Sequence, residues 1–167
     1  QQYLRAKALY RGRYIDDAIK ILEAAIARDP NYAPAWGLLA DSYQFTIGFG
    51  PTVRRGTIEE ARQVAQSSHD KAEKAAREAV RLNAREAGGI RVLASLELHQ
   101  GNLAGYDDRI SQGLALDPTD ADLLFGRATF LAAIGRLKDS VRAFEQVRTM
   151  EPFVPVFSFL AADPMIS

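Results

Sequence analysis

Apolar residues fall at helical spacing through most of the chain, in short runs that are broken at regular places. Trp36, Leu39, Ala40 and Tyr43 stand at i, i+3, i+4 and i+7, which is one face of a helix. Ile90, Leu93 and Ala94 repeat the start of that pattern, and Leu124, Ala128 and Leu131 repeat it again. A second series with smaller residues precedes the first of these and follows each of the three: Ala18, Leu22 and Ala25; Ala72, Ala76 and Ala79; Tyr106, Ile110 and Gly113; Ser140, Phe144 and Val147. Small side chains on that face let paired helices approach closely. Gly101 and Gly135 lie between a first and a second helix, where the chain must turn. Proline at 30, 118 and 152 stops the second helices, because it disfavours helical geometry at the residue before it. The pattern predicts paired helices throughout and no strand.

The breaks are periodic. Pro118 and Pro152 are 34 residues apart, as are Gly101 and Gly135. One period before Pro118, Ala84 takes the proline's place in "AVRLNAREA". From Pro30 to Ala84 is 54 residues, one period of 34 with 20 added, so the second unit carries an insertion. The units run over about 1–32, 33–86 with the insertion near 45–70, 87–120 and 121–154, with a partial fifth helix at 155–167. Inside the insertion, "TIGFGPTVRRG" reads as a turn, and Thr57 with Glu60 fits a capping box that opens a long helix. Ile58, Ala61, Val64, Ala65, Ala72, Ala76, Ala79 and Leu82 continue one apolar stripe to about residue 82. That helix either projects as an arm for a partner or a second protomer, or packs back as a lengthened hairpin.

"WGLLADSY", from Trp36 to Tyr43, and the 34-residue phase of the four units resemble the tetratricopeptide repeat, with its W-x2-L-G-x2-Y, A-x3-F and closing P. The chain departs from that pattern at Arg127, where Leu is usual, at Glu97, where Tyr is usual, and at Ala84. The resemblance implies an all-α fold of about four helix-turn-helix repeats, stacked as a single array into a right-handed superhelix whose concave side is lined by the first helix of each pair. It also implies the groove-facing places: Gly37, Asp41 and Gln44 in the second unit, Arg91, Ser95 and His99 in the third, and Asp122, Phe125 and Thr129 in the fourth. With Arg91 as the one cation of this set, a clamp for a peptide's terminal carboxylate is not expected. A plainer reading leaves these residues as solvated positions on a curved surface. The sequence from "YLRAKALYRGRYIDDAIK" to "AEKAAREAVRLNAREAG" also resembles the carboxy-terminal repeat region of bacterial class III adenylate cyclases and of some winged-helix transcription regulators.

Composition narrows the chemistry. Twenty-one basic residues balance 21 acidic ones, which gives no electrostatic reason to expect nucleic acid or an anionic membrane. The chain holds no cysteine, which removes thiolate metal sites and thiol nucleophiles and suits a reducing, cytoplasmic compartment. The two histidines, His69 and His99, have no ligand partners at metal spacing, and the glycines at 48, 50 and 56 lack a phosphate-loop context. Carboxylate neighbours such as Asp16 with Asp17 point to different parts of a helix surface. No catalytic site, cofactor or metal is expected.

The functional expectation is a non-catalytic interaction module for a protein or peptide, from a larger bacterial signalling or regulatory protein. The alternative is a regulatory or dimerisation region that controls an upstream adenylate cyclase domain. In the tail, Phe153, Phe157 and Phe159 offer apolar surface beyond what one short helix buries. A following helix, a symmetry-related copy forming a homodimer, or a terminal cap would each account for them.

Overall fold

A computed structural model describes residues 1–49 and 56–150. Among these residues the chain is wholly α-helical, with eight helices: α1 Gln2–Arg11, α2 Ile15–Arg28, α3 Ala33–Phe49, α4 Ile58–Leu82, α5 Ala87–His99, α6 Leu103–Leu116, α7 Ala121–Ala133 and α8 Leu137–Met150. Odd and even members are the first and second helices of the predicted pairs. The chain divides into two compact units, Gln1–Leu96 and Glu97–Ser167, with the division inside α5.

In the first unit, Leu22 and Ile26 of α2, Ala35, Leu39 and Tyr43 of α3, Ala72, Ala75 and Ala76 of α4, and Val92, Leu93 and Leu96 of α5 share one buried cluster. Alanine dominates the α4 side, which lets its backbone approach its neighbours closely. The insertion lengthens both helices of its pair. α3 has 17 residues where α5 and α7 have 13, and α4 has 25 where α2, α6 and α8 have 14. Thr57 caps α4 as its sequence requires. Its hydroxyl accepts from the Glu60 N–H at 3.2 Å, and its own N–H donates to the Glu60 carboxylate at 2.8 Å. The buried residues of α4 begin only at Ser68, and Ile58, expected on the apolar stripe, is 78% exposed. Residues 50–55, with the core of the turn read in "TIGFGPTVRRG", lie outside the described residues.

In the second unit, α7 and α8 enclose Ala128, Ala143 and Phe144, with Phe125 packed against them. The buried Ser140 hydroxyl donates to the Ala128 carbonyl at 2.8 Å, so a polar residue at the helix crossing is satisfied without water. Tyr106 of α6 stacks at a tilt on Phe130, with centroids 4.6 Å apart, and its hydroxyl donates to the Gly126 carbonyl at 2.9 Å. Glu97, standing where the repeat usually has Tyr, accepts two hydrogen bonds from the Arg109 guanidinium at 3.0 and 3.1 Å and one from Asn102 at 2.9 Å. An ion pair thus replaces an aromatic contact at the α5–α6 turn.

Gly101 and Gly135 sit two residues before α6 and α8 with φ of +77° and +80°. Arg13 sits two residues before α2 with φ of +67°. Arg13 therefore occupies the glycine's place in the first repeat, which fixes that unit's register. Tyr3 then corresponds to Arg91 and Phe125, and Lys7 to Ser95 and Thr129.

Candidate functional site

In the first unit, polar and aromatic residues share faces of α1, α3 and α5. Helical spacing places Tyr3, Lys7 and Tyr10 on one face of α1, and Asp41, Gln44 and Phe45 on one face of α3. Arg91 and Ser95 do the same on α5. Tyr3, Tyr10, Gln44, Phe45, Arg91 and Ser95 are half-buried, and Asp41 is only 8% exposed.

Two of the predicted groove positions on α3 meet two on α5. Arg91 pairs with the carboxylate of Asp41, and the Gln44 amide donates to the Ser95 hydroxyl. These contacts knit adjacent repeats. Asp41 is therefore a buried partner of Arg91 rather than a solvated groove residue, because a carboxylate withdrawn from water needs a countercharge. Gly37 is likewise buried, beneath the Glu86 side chain. Arg91 is not a bare cation awaiting an anion.

The aromatic half of this surface was not identified from sequence. Tyr10 packs edge-on to Phe45 with centroids 6.2 Å apart, and the Arg13 guanidinium lies over the Phe45 ring at 4.6 Å. Tyr3 packs edge-on to Tyr32 at 5.4 Å. Burial, and then the negative charge of Glu86, push the Tyr3 hydroxyl above the ordinary tyrosine range, with lesser contributions from Tyr32 and Asp41. Tyr3 is therefore a neutral donor or acceptor at neutral pH. The signal that would have found it is the register of α1, which depends on recognising Arg13 as the turn residue.

In the second unit, His99 ends α5 in an exposed position and Asp122 lies exposed in the first turn of α7. Phe125 is half-buried edge-on to Phe144 at 5.8 Å. The Thr129 hydroxyl donates to the Gly126 carbonyl at 2.9 Å and to that of Phe125 at 3.2 Å. Phe153, Phe157 and Phe159, with the predicted partial helix 155–167, lie outside the described residues.

Among the described residues, no three His, Asp or Glu side chains gather as a metal site, and no helix is long and apolar enough to cross a membrane. Tyr43, buried on α3, donates its hydroxyl to Glu23 of α2 at 2.6 Å. Burial first, and then this hydrogen bond, raise its pKa far above the ordinary tyrosine value.

The comparisons agree with this architecture. A family profile for the tetratricopeptide repeat matches residues 1–42. The structure is similar to a thermophilic tetratricopeptide protein of Thermus thermophilus, at 17% identity and a TM-score of 0.74, over 99% of this chain and 80% of that one. It is also similar to MamA, at 16% identity and a TM-score of 0.51, over 88% of this chain and 74% of that one. YrrB, described as a tetratricopeptide protein with an unusual peptide-binding site, matches at 16% identity and a TM-score of 0.50, over 95% of this chain and 72% of that one. No curated protein matches in sequence. The fold is thus that of tetratricopeptide-repeat proteins, reached independently by the 34-residue period and by the structural likeness.

Proposed function

We propose that the chain is a non-catalytic interaction module that holds a peptide segment of a protein partner on the first-helix face of its first unit. One observation carries this reading. Tyr3, Tyr10, Gln44, Phe45 and Ser95 form a half-buried strip of aromatic and hydrogen-bonding groups across three successive first helices. Such a strip suits a peptide because aromatic rings supply contact area at small entropic cost, while amide and hydroxyl groups pair with a peptide backbone. Binding would bring the partner to high local concentration beside any domain joined to the array. A role within a bacterial signalling protein, with a cyclase or winged-helix domain upstream, rests on the sequence resemblance alone, and the homodimer proposed through Phe153, Phe157 and Phe159 rests on their apolar character.

The test is selection from a phage-displayed dodecapeptide library, followed by titration of selected peptides against Tyr10→Ala and Gln44→Ala variants whose melting is checked. Binding at least tenfold weaker to either variant is expected. Selected peptides indifferent to both substitutions would remove the proposal. Arg91→Glu is a poorer probe, because it would leave two carboxylates facing each other at the buried Asp41 and so confound binding with stability.

A further inference from the structure

The second unit carries a cleft of ≈ 210 Å³ between α7 and α8. It is built around a departure from the repeat. Leu39 and Leu93, at the corresponding place in the two preceding units, are 4% and 7% exposed. The fourth unit has Arg127 there, between the buried Leu124 and Leu131 on the same helix stripe. Arg127 is half-buried and lines the cleft, an arrangement in which its aliphatic stem can lie among the leucines while its charged head reaches water. No hydrogen bond or ion pair of Arg127 occurs among the described residues.

The facing helix and the turn before it add more positive charge than they neutralise. Arg136 donates twice to Asp139, at 2.7 and 3.0 Å, and Arg142 approaches the same carboxylate at 3.7 Å. Three arginines therefore line the cleft with one carboxylate residue and Gln146. Two positive charges are left over, and Arg127 is the cation that Asp139 does not engage.

We infer that this cleft is a second docking site, which takes a carboxylate side chain from an acidic peptide segment of a protein partner. A planar guanidinium recognises a carboxylate through two parallel hydrogen bonds, and the low-polarity wall of Leu124 and Leu131 strengthens that contact relative to open water. The same wall distinguishes a peptide from a free anion, because an aliphatic residue next to the acidic one can lie against it. The site is separate from the first-helix strip of the first unit and does not depend on it.

The test uses a fluorescein-labelled hexapeptide, Leu-Asp-Glu-Leu-Asp-Glu with a blocked carboxy-terminus, titrated into the whole chain at low salt, alongside its Asn/Gln analogue and inorganic phosphate. The acidic peptide is expected to bind, the amide analogue to bind at least tenfold more weakly, and phosphate to compete only at far higher concentration. Arg127→Leu restores the residue that the second and third units bury. It should fold at least as stably as the parent and lose binding tenfold or more, and Arg127→Gln provides a second neutral variant of similar reach. Unchanged affinity in both variants, absence of binding to the parent, or phosphate binding as tightly as the peptide would each overturn the inference.

Discussion

Gly37 on α3 and Gly88 on α5 approach each other closely, and the two glycines should respond oppositely to the same substitution. A Cβ added at Gly88 would lie 2.9 Å from both the carbonyl carbon and the carbonyl oxygen of Gly37, and 3.1 Å from the Asp41 carboxylate. Backbone cannot rotate aside, so α5 would have to move away from α3 by several tenths of an ångström. Over-packing of this kind costs about 1–3 kcal/mol. The gain in helix propensity is at most about 1 kcal/mol and is reduced here, because Gly88 is the second residue of its helix. A net loss of roughly 1–2 kcal/mol is expected for Gly88→Ala. The same movement would loosen the Arg91–Asp41 and Gln44–Ser95 contacts, which cross the same helix pair.

A Cβ at Gly37 would instead meet the end of the Glu86 side chain, with its carboxyl carbon at 2.9 Å. That side chain is half-exposed and can swing toward water. Gly37 also lies further inside its helix, so Gly37→Ala should be neutral or stabilising by up to about 1 kcal/mol. The two variants should therefore differ by roughly 2 kcal/mol, about 1 M in urea midpoint at a slope near 2 kcal/mol/M. Equilibrium urea unfolding followed by far-ultraviolet circular dichroism measures this. Equal midpoints for the two variants, or a Gly88→Ala protein as stable as the parent, would refute the argument that backbone contact sets the helix spacing here.

Arg13 holds a left-handed backbone at φ +67°, offset by its stacking on Phe45 at 4.6 Å. Arg13→Ala keeps the strain and loses the stacking, so it should lower stability by about 0.5–1 kcal/mol. Arg13→Gly should recover about 1 kcal/mol relative to Ala, and calorimetry showing Ala at least as stable as Gly would contradict the assignment of Arg13 to the turn glycine's place. Tyr43→Phe removes the donor to Glu23 and should cost about 1 kcal/mol at neutral pH, since Glu23 itself is solvated. Because the Tyr43 pKa is raised in the folded state, that contribution is complete below about pH 10 and is lost as pH climbs above the unfolded value toward the folded one. The stability gap between parent and variant should accordingly shrink between melts at pH 8 and pH 11, and a gap that widens would reverse the sign of the argument.

Most of the architecture was legible because it is written twice, once in hydrophobic spacing and once in the 34-residue phase. The start of α4 was legible for a local reason: a capping box satisfies two backbone donors with two side chains, so the residues at 57 and 60 suffice to specify it. The first unit's leading helix was less legible. Its turn uses a strained Arg in place of glycine, and the register that puts Tyr3 and Tyr10 on the candidate face follows from backbone conformation rather than composition. The candidate site was read in part. Helical geometry placed Asp41, Gln44, Arg91 and Ser95 on one face, but no periodicity could say that they would bind one another, because 50 residues and an insertion separate Asp41 from Arg91.

The departures from the repeat separate into two kinds once their partners are known. Glu97 replaces an aromatic residue and is answered by Arg109 and Asn102. Arg13 replaces a glycine and is answered by the Phe45 ring. In both cases the fold has absorbed the substitution, since each new charged group meets a group that stabilises it. Arg127 replaces a leucine, and no ion pair or hydrogen bond answers it among the described residues. Only its aliphatic stem lies on the apolar stripe, which leucine fills more fully, so restoring leucine should keep or raise the stability of the second unit. Arg127 is thus the departure that no described residue answers, and it is the one that the proposed acidic peptide would answer.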